Sequence, residues 1–144
     1  QFNVPGLLGQ VGMFKVINIH PRVTKKSIAM VWTGGNDYYN QFVMGNTTSV
    51  DQVIKNIRKS IKVLYFSGIR RFIVPNLPDL GDVPIAHILA EIQDNSDIPA
   101  YLTEQVIEHN EKLDQTINDL QKKLHIKIYK VDVFNIVDTS QSTI

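Results

Sequence analysis

Three short apolar segments separated by helical patterns restrict this chain to a sheet of parallel strands. The segments are Ser27–Thr33, Arg71–Asn76 and Ile126–Val131. Between the first two, Val50, Val53, Ile54, Ile57, Ile61 and Leu64 fall on one helical face. Between the second and third, a short helical stretch runs from Ile85 to about Ile92, and Gln93-Asp94-Asn95-Ser96-Asp97 interrupts it. A longer helix then spans Pro99 to Leu124, with Val106, Leu113, Ile117, Leu120 and Leu124 on its buried face. Strands joined by helical crossovers pair in parallel, with right-handed connections. Such sheets are covered by helices on their faces. The sequence therefore predicts a three-layer α/β sheet, with Ser27–Thr33 as a central strand buried on both faces. Three strands is few for such a sheet, which reads as a domain with part of its chain missing.

The ends of these elements are marked locally. Val4-Pro5-Gly6-Leu7-Leu8-Gly9-Gln10-Val11-Gly12-Met13-Phe14 has Leu7, Val11 and Phe14 at helical spacing, and His20-Pro21 closes that segment. Gly34-Gly35-Asn36-Asp37 is a dense turn signal after the first strand, and Tyr38 to Ser49 reads as a loop. Ser49 or Asp51 caps the helix that follows, and Ser67-Gly68 ends it. Lys55, Arg58, Lys59 and Lys62 occupy that helix's other faces, as expected of a solvated surface. Val133 to Val137 begins a further helix. The triplet Asn46-Thr47-Thr48 fits a glycosylation sequon, a pattern common by chance.

Composition narrows the function classes. The chain has 144 residues, 43% hydrophobic and 20% charged, enough for one domain with a real core. A net charge of +1 gives no electrostatic basis for capturing nucleic acid, and no apolar run reaches membrane-span length. With no cysteine, disulfides and thiolate chemistry are excluded within these residues. The four histidines, His20, His87, His109 and His125, are too scattered for a metal site, and His109 reads as a packing or surface residue. No Gly-x-Ser-x-Gly elbow or glycine-rich phosphate loop is present. No leader pattern is visible at Gln1. The absence of an initiator Met reads as a processed product or a fragment.

One candidate for chemistry remains. Asn36 lies just past the carboxyl end of its strand, the edge at which open α/β sheets bind ligands. A plain turn is the competing reading. The loop from Asn76 to Pro84, with Pro78 and Gly81, leaves the same edge after the second strand.

These residues match a known pattern in series. Trp32-Thr33-Gly34-Gly35-Asn36-Asp37-Tyr38 resembles the Gly-x-Asn-Asp block of the GDSL (SGNH-hydrolase) lipases and esterases. The Val4–Val11 segment resembles the helix before that block. Phe72-Ile73-Val74-Pro75-Asn76-Leu77-Pro78-Asp79-Leu80-Gly81-Asp82-Val83-Pro84 is similar to the family's strand and proline-glycine loop. His109-Asn110 with Leu113 and Leu120 resembles its Asn-Leu helix, and Asp132 after the third strand also fits. The resemblance covers nearly the whole chain, in order. It implies an SGNH-hydrolase, flavodoxin-like fold, of which residues 1–144 form the central portion of a single domain.

The resemblance also implies a chemistry: a serine nucleophile, an Asp-x-x-His base and no metal or cofactor. Asn36, the one site residue the resemblance carries over, then supplies an oxyanion-hole donor; Gly35, Tyr38, Tyr39 and Leu80 are the expected substrate contacts, and Tyr38, Tyr39, Phe42, Leu77 and Leu80 either line an acyl cleft or pack the loops. The departures from the family are clear. Gly81-Asp82 is followed by Val83, so the sequence contains no Gly-Asp-Ser, and no histidine has an aspartate three residues before it. The family places those two blocks before Gln1 and beyond Ile144. The implied function is hydrolysis of carboxylic, lipid-type acyl esters by the parent protein. The context looks closest to secreted or periplasmic bacterial lipases, lysophospholipases and acyltransferases. That implies an acyl-ester substrate, at most peripheral membrane contact, no nucleic acid, and the missing parts of the same protein as partners. The alternative is a noncatalytic α/β binding or structural module that lacks the catalytic blocks.

Overall fold

The structure, a computed structural model, describes residues 26–136. The expected helix at Leu7–Phe14 lies outside them. Three strands form one sheet in the order β1-β2-β3: β1 (Ile28–Met30), β2 (Arg71–Pro75) and β3 (Lys127–Val131). Both pairings are parallel, with Ile28 opposite Arg71 and Arg71 opposite Lys127. The parallel α/β sheet is as the sequence predicts. The place of the first strand is not. Among the described residues β2 is central and β1 lies at the edge. Ile28 and Met30 are 52% and 63% exposed, while Val31 is buried. An unbroken apolar run is read as buried on both faces, yet here its alternate residues divide between the core and an open face.

Four helices join these strands: α1 (Gly35–Met44), α2 (Val50–Phe66), α3 (Pro84–Ile92) and α4 (Ile98–Leu124). The predicted stripe of α2 is buried in full, from Val50 to Leu64. The Ser49 hydroxyl caps α2 by accepting a hydrogen bond from the Gln52 N–H at 3.4 Å. Pro99 falls in the first turn of α4, where a missing N–H costs nothing. Residues 133–136 are also helical. The helices gather around α4 and cover the face bearing Phe72, Val74 and Ile128, all buried. On the other face Ile28, Met30, Tyr129 and Val131 are exposed among the described residues.

The loop expected from Tyr38 to Ser49 is instead mostly the helix α1. Gly34, at φ +114°, adopts a backbone conformation that side chains disfavour, and the chain enters the helix there. The Tyr38 N–H then donates to the Gly34 carbonyl at 3.2 Å, closing the first turn. Tyr38 and Gln41, three residues apart, face the core, and Gly45 at φ +69° ends the helix. The Gly-Gly-Asn-Asp signal is thus a helix entry rather than the start of a loop.

Candidate functional site

The exit of β1 and the loop after β2 leave the same edge of the sheet and enclose an open groove of about 440 Å³. One wall is Trp32, Thr33, Gly34, Gly35 and Asn36; the other is Leu77, Pro78 and Leu80, with Tyr39 between them. Asn36, Gly35, Tyr39 and Leu80, four of the expected site residues, are therefore brought together. Asn36 is exposed in the first turn of α1, and its side chain makes no hydrogen bond to another described residue. Leu77 also lines the groove. Tyr38 does not: it is fully buried beneath the turn, and its hydroxyl is 2.8 Å from His109 Nδ1. A residue two positions after Asn36 in a helix points to a different face, so Tyr38 serves the core rather than the cleft. Phe42 packs edge-to-face on Tyr101, with ring centroids 6.0 Å apart, away from the groove.

Both walls are held by side chains. The Trp32 Nε1–H donates to the Asn76 carbonyl at 3.1 Å, bridging the two strand exits. Asn110 accepts from the Leu77 N–H and donates to the Leu77 carbonyl, both at 3.0 Å. Thr103 donates to Asp79 Oδ1 at 2.6 Å, and the Gly81 N–H donates to the same oxygen at 3.0 Å. Tyr39 donates to the Leu80 carbonyl at 3.0 Å. A Cβ at Gly81 would lie 2.0 Å from the Pro99 carbonyl oxygen, so only glycine lets the loop sit this close to α4. Beyond the groove, Asn76 donates to Asp132 Oδ1 at 3.0 Å and accepts from the Phe134 N–H at 3.0 Å. That bond and those from Asn135 hold the Asp132 carboxyl below its usual range.

The electrostatics follow from burial. Burial, helped by the Asp79 charge, pushes the Tyr39 hydroxyl up to about 12, so it remains a donor. Burial lowers the His109 imidazole to about 4 and raises both the Tyr38 hydroxyl and the Asp37 carboxyl. His109 is therefore a neutral core residue, as its place in the helix suggested. Among the described residues no Lys or Arg lines the groove. Negative charge arising there meets dipoles instead: the Asn36 amide and the N-terminal end of α1, whose first N–H groups have no intrahelical acceptor. Among the described residues, no group of three or more His, Cys, Asp or Glu is placed to hold a metal. Sequence reasoning missed the clamps from Asn110, Thr103 and Trp32. Only Asn110 carried a signal, its position in the Asn-Leu helix.

The family follows from comparison with known proteins. The pattern described as GDSL-like Lipase/Acylhydrolase matches residues 3–144.

This chain belongs to the GDSL lipase/acylhydrolase family.

Its parallel sheet with packed helices is consistent with the SGNH-hydrolase architecture of that family. Similar proteins from Arabidopsis thaliana include GDSL esterase/lipase 22, 30% identical over 75% of this chain and 29% of that protein. Inactive GDSL esterase/lipase-like protein 23 is 30% identical over 75% of this chain and 30% of its own length. Inactive GDSL esterase/lipase-like protein 25 is 32% identical over 69% and 25% respectively. The chain thus spans less than a third of the length of these relatives. They are plant proteins, and they give no support to the expected nearness to bacterial members.

Proposed function

We propose that the groove at Asn36 is the oxyanion side of an ester-hydrolysing site, and that the parent protein cleaves acyl esters with a serine nucleophile. The observation that carries this reading is the position of Asn36: an amide with no hydrogen-bond partner among the described residues, in the first turn of a helix, at the carboxyl edge of a parallel sheet. In the reaction the serine oxygen attacks the ester carbonyl carbon, and the carbonyl oxygen takes on negative charge. Donors from the Asn36 Nδ2–H group and the α1 N-terminus strengthen as that charge appears, which lowers the barrier rather than tightening ground-state binding. Leu77, Pro78 and Leu80 on one wall, with Trp32 on the other, give the groove apolar surface suited to an acyl chain. The nucleophile and the Asp/His base belong to blocks that this sequence does not contain.

In the protein carrying those blocks, Asn36→Ala should lower kcat by about 10²–10³, with little change in KM. Asn36→Asp should be at least as harmful, because a carboxylate then faces the oxyanion. Steady-state kinetics on p-nitrophenyl esters, with folding checked by circular dichroism, measure both. A folded Asn36→Ala variant whose kcat stays within about threefold of wild type, against that expected loss, overturns the reading.

A second reading, a noncatalytic module, is favoured by relatives that bear the word inactive in their names. A serine-directed fluorophosphonate discriminates. Stoichiometric labelling of the parent protein supports the hydrolase. A parent protein that takes no label and turns over no ester supports the module.

A further inference from the structure

The buried Tyr38–His109 pair takes no part in the chemistry described above, yet it lies directly beneath the groove. Tyr38 is wholly buried and His109 is 1% exposed. Their rings meet edge-to-face at 5.6 Å, with the hydroxyl 2.8 Å from Nδ1. Burial keeps the tyrosine protonated, so its hydroxyl donates and Nδ1 accepts. The same Cε1–Nδ1 edge of the imidazole abuts Gly34: a Cβ there would stand 2.9 Å from His109 Cε1 and 3.4 Å from Nδ1. Gly34 and Tyr38 are the two ends of the hydrogen bond that closes the first turn of α1. Gly35 and Asn36 lie between them. The imidazole thus touches both ends of the turn that presents Asn36.

We infer that His109 is a positioning residue for Asn36, fixing the first turn of α1 from beneath through Gly34 and Tyr38. The placement of the turn is independent of any chemistry; its effect on rate rests on the reading of Asn36 as an oxyanion donor. Two side chains could fill this space without a hydrogen bond. What the bond adds is direction, because it sets the rotation of α1 about its own axis and with it where the Asn36 amide points.

A comparison of Tyr38→Phe, His109→Phe and the double variant tests this. Each single change leaves one buried polar group unpaired and lowers stability, whereas the double change leaves none and regains most of it. A role in packing alone predicts that the double variant also regains everything else. The positioning role predicts that it does not. Hydrogen exchange at the amides of Tyr38 and Tyr39 should remain faster in the double variant by up to about tenfold, the range set by one net hydrogen bond. Exchange in α2 and α4 should return to wild type. In the protein carrying the catalytic blocks, kcat of the double variant should stay several-fold low, with KM unchanged. Exchange at both amides within about twofold of wild type, set against that expectation, overturns the inference, whether or not the single variants fold. The Asn36→Ala kinetics decide the oxyanion reading separately. If that variant keeps its kcat, the oxyanion reading falls and the exchange result still decides the placement of the turn.

Discussion

Acidification should weaken this fold through His109. Burial lowers this imidazole from 6.5 to about 4. The unfolded chain therefore takes up a proton below pH 6.5, while the folded chain does so only below about pH 4. The stability involved is complete above 6.5 and drains away as pH falls toward 4. At about 1.4 kcal/mol per pH unit, the full loss is about 3 kcal/mol, and most of it, roughly 2.5 kcal/mol, is reached by about pH 4.5. Asp37 acts in the opposite sense, since its raised carboxyl is protonated earlier in the folded state. Asp119 and Asp132, both lowered by hydrogen bonds, lose their contribution only below the ordinary carboxylate value of 3.8. Urea unfolding followed by far-UV circular dichroism, at about pH 7.5 and about pH 4.5, measures the difference. His109→Phe should be less stable than wild type at neutral pH and should lose most of the dependence on pH. A folded His109→Phe protein with the wild-type pH dependence refutes the reasoning. If that variant does not fold, the His109 ring resonances of the wild type answer directly, and a titration near 6.5 refutes it as well.

Substitutions at two further positions, Gly34 and Asn110, test how the groove is held. Gly34→Ala should destabilise by about 1–3 kcal/mol, the usual cost of a disfavoured backbone conformation, because Gly34 sits at φ +114° and a methyl group would meet the His109 ring. Thermal melting checks this, and an unchanged melting temperature would show that the turn relaxes freely. Asn110→Leu should cost about 2–6 kcal/mol, since it strands the N–H and C=O of the buried Leu77 at roughly 1–3 kcal/mol each. Asn110→Asp keeps the acceptor and loses only the donor, so urea unfolding should place it between Leu and wild type.

Much of this fold was legible because its signals are periodic. The α2 stripe from Val50 to Leu64 and the α4 positions Val106, Leu113, Ile117 and Leu120 are buried as their spacing predicts. Parallel pairing followed from helical crossovers alone. The failures are local. Gly34-Gly35-Asn36-Asp37 carries the composition of a turn, and nothing in composition distinguishes a turn that leads to a loop from one that opens a helix. Tyr38 and Gln41 at three-residue spacing were the available clue, outweighed by the exposed aromatic and polar residues around them. The edge position of β1 was illegible for another reason. An apolar run reports that a strand is apolar, not which neighbours lie beside it. The site divided along similar lines. The position of Asn36 at the groove followed from its place after a strand, whereas Tyr38, two residues on, lies on another face of the helix, which adjacency in sequence does not reveal. The Asn110 and Thr103 clamps join segments more than twenty residues apart and leave no periodic trace.

These clamps explain why two loops with no strand pairing between them form one groove. His109 and Asn110 are neighbours on α4, about 100° apart around its axis. His109 reaches the wall that carries Asn36, through Tyr38 and Gly34. Asn110 reaches the opposite wall, through both backbone groups of Leu77. Thr103, roughly 9 Å earlier along the same helix, fixes the far end of that wall through Asp79. α4 thus positions both walls, alongside the direct Trp32–Asn76 and Tyr39–Leu80 bonds between them. A displacement of α4 carries both walls together and leaves the groove intact, whereas loss of a single clamp lets one wall move against the other. That asymmetry assigns separate consequences to the two neighbours: changes at His109 act on the wall that carries Asn36, and changes at Asn110 act on the wall that carries Leu77.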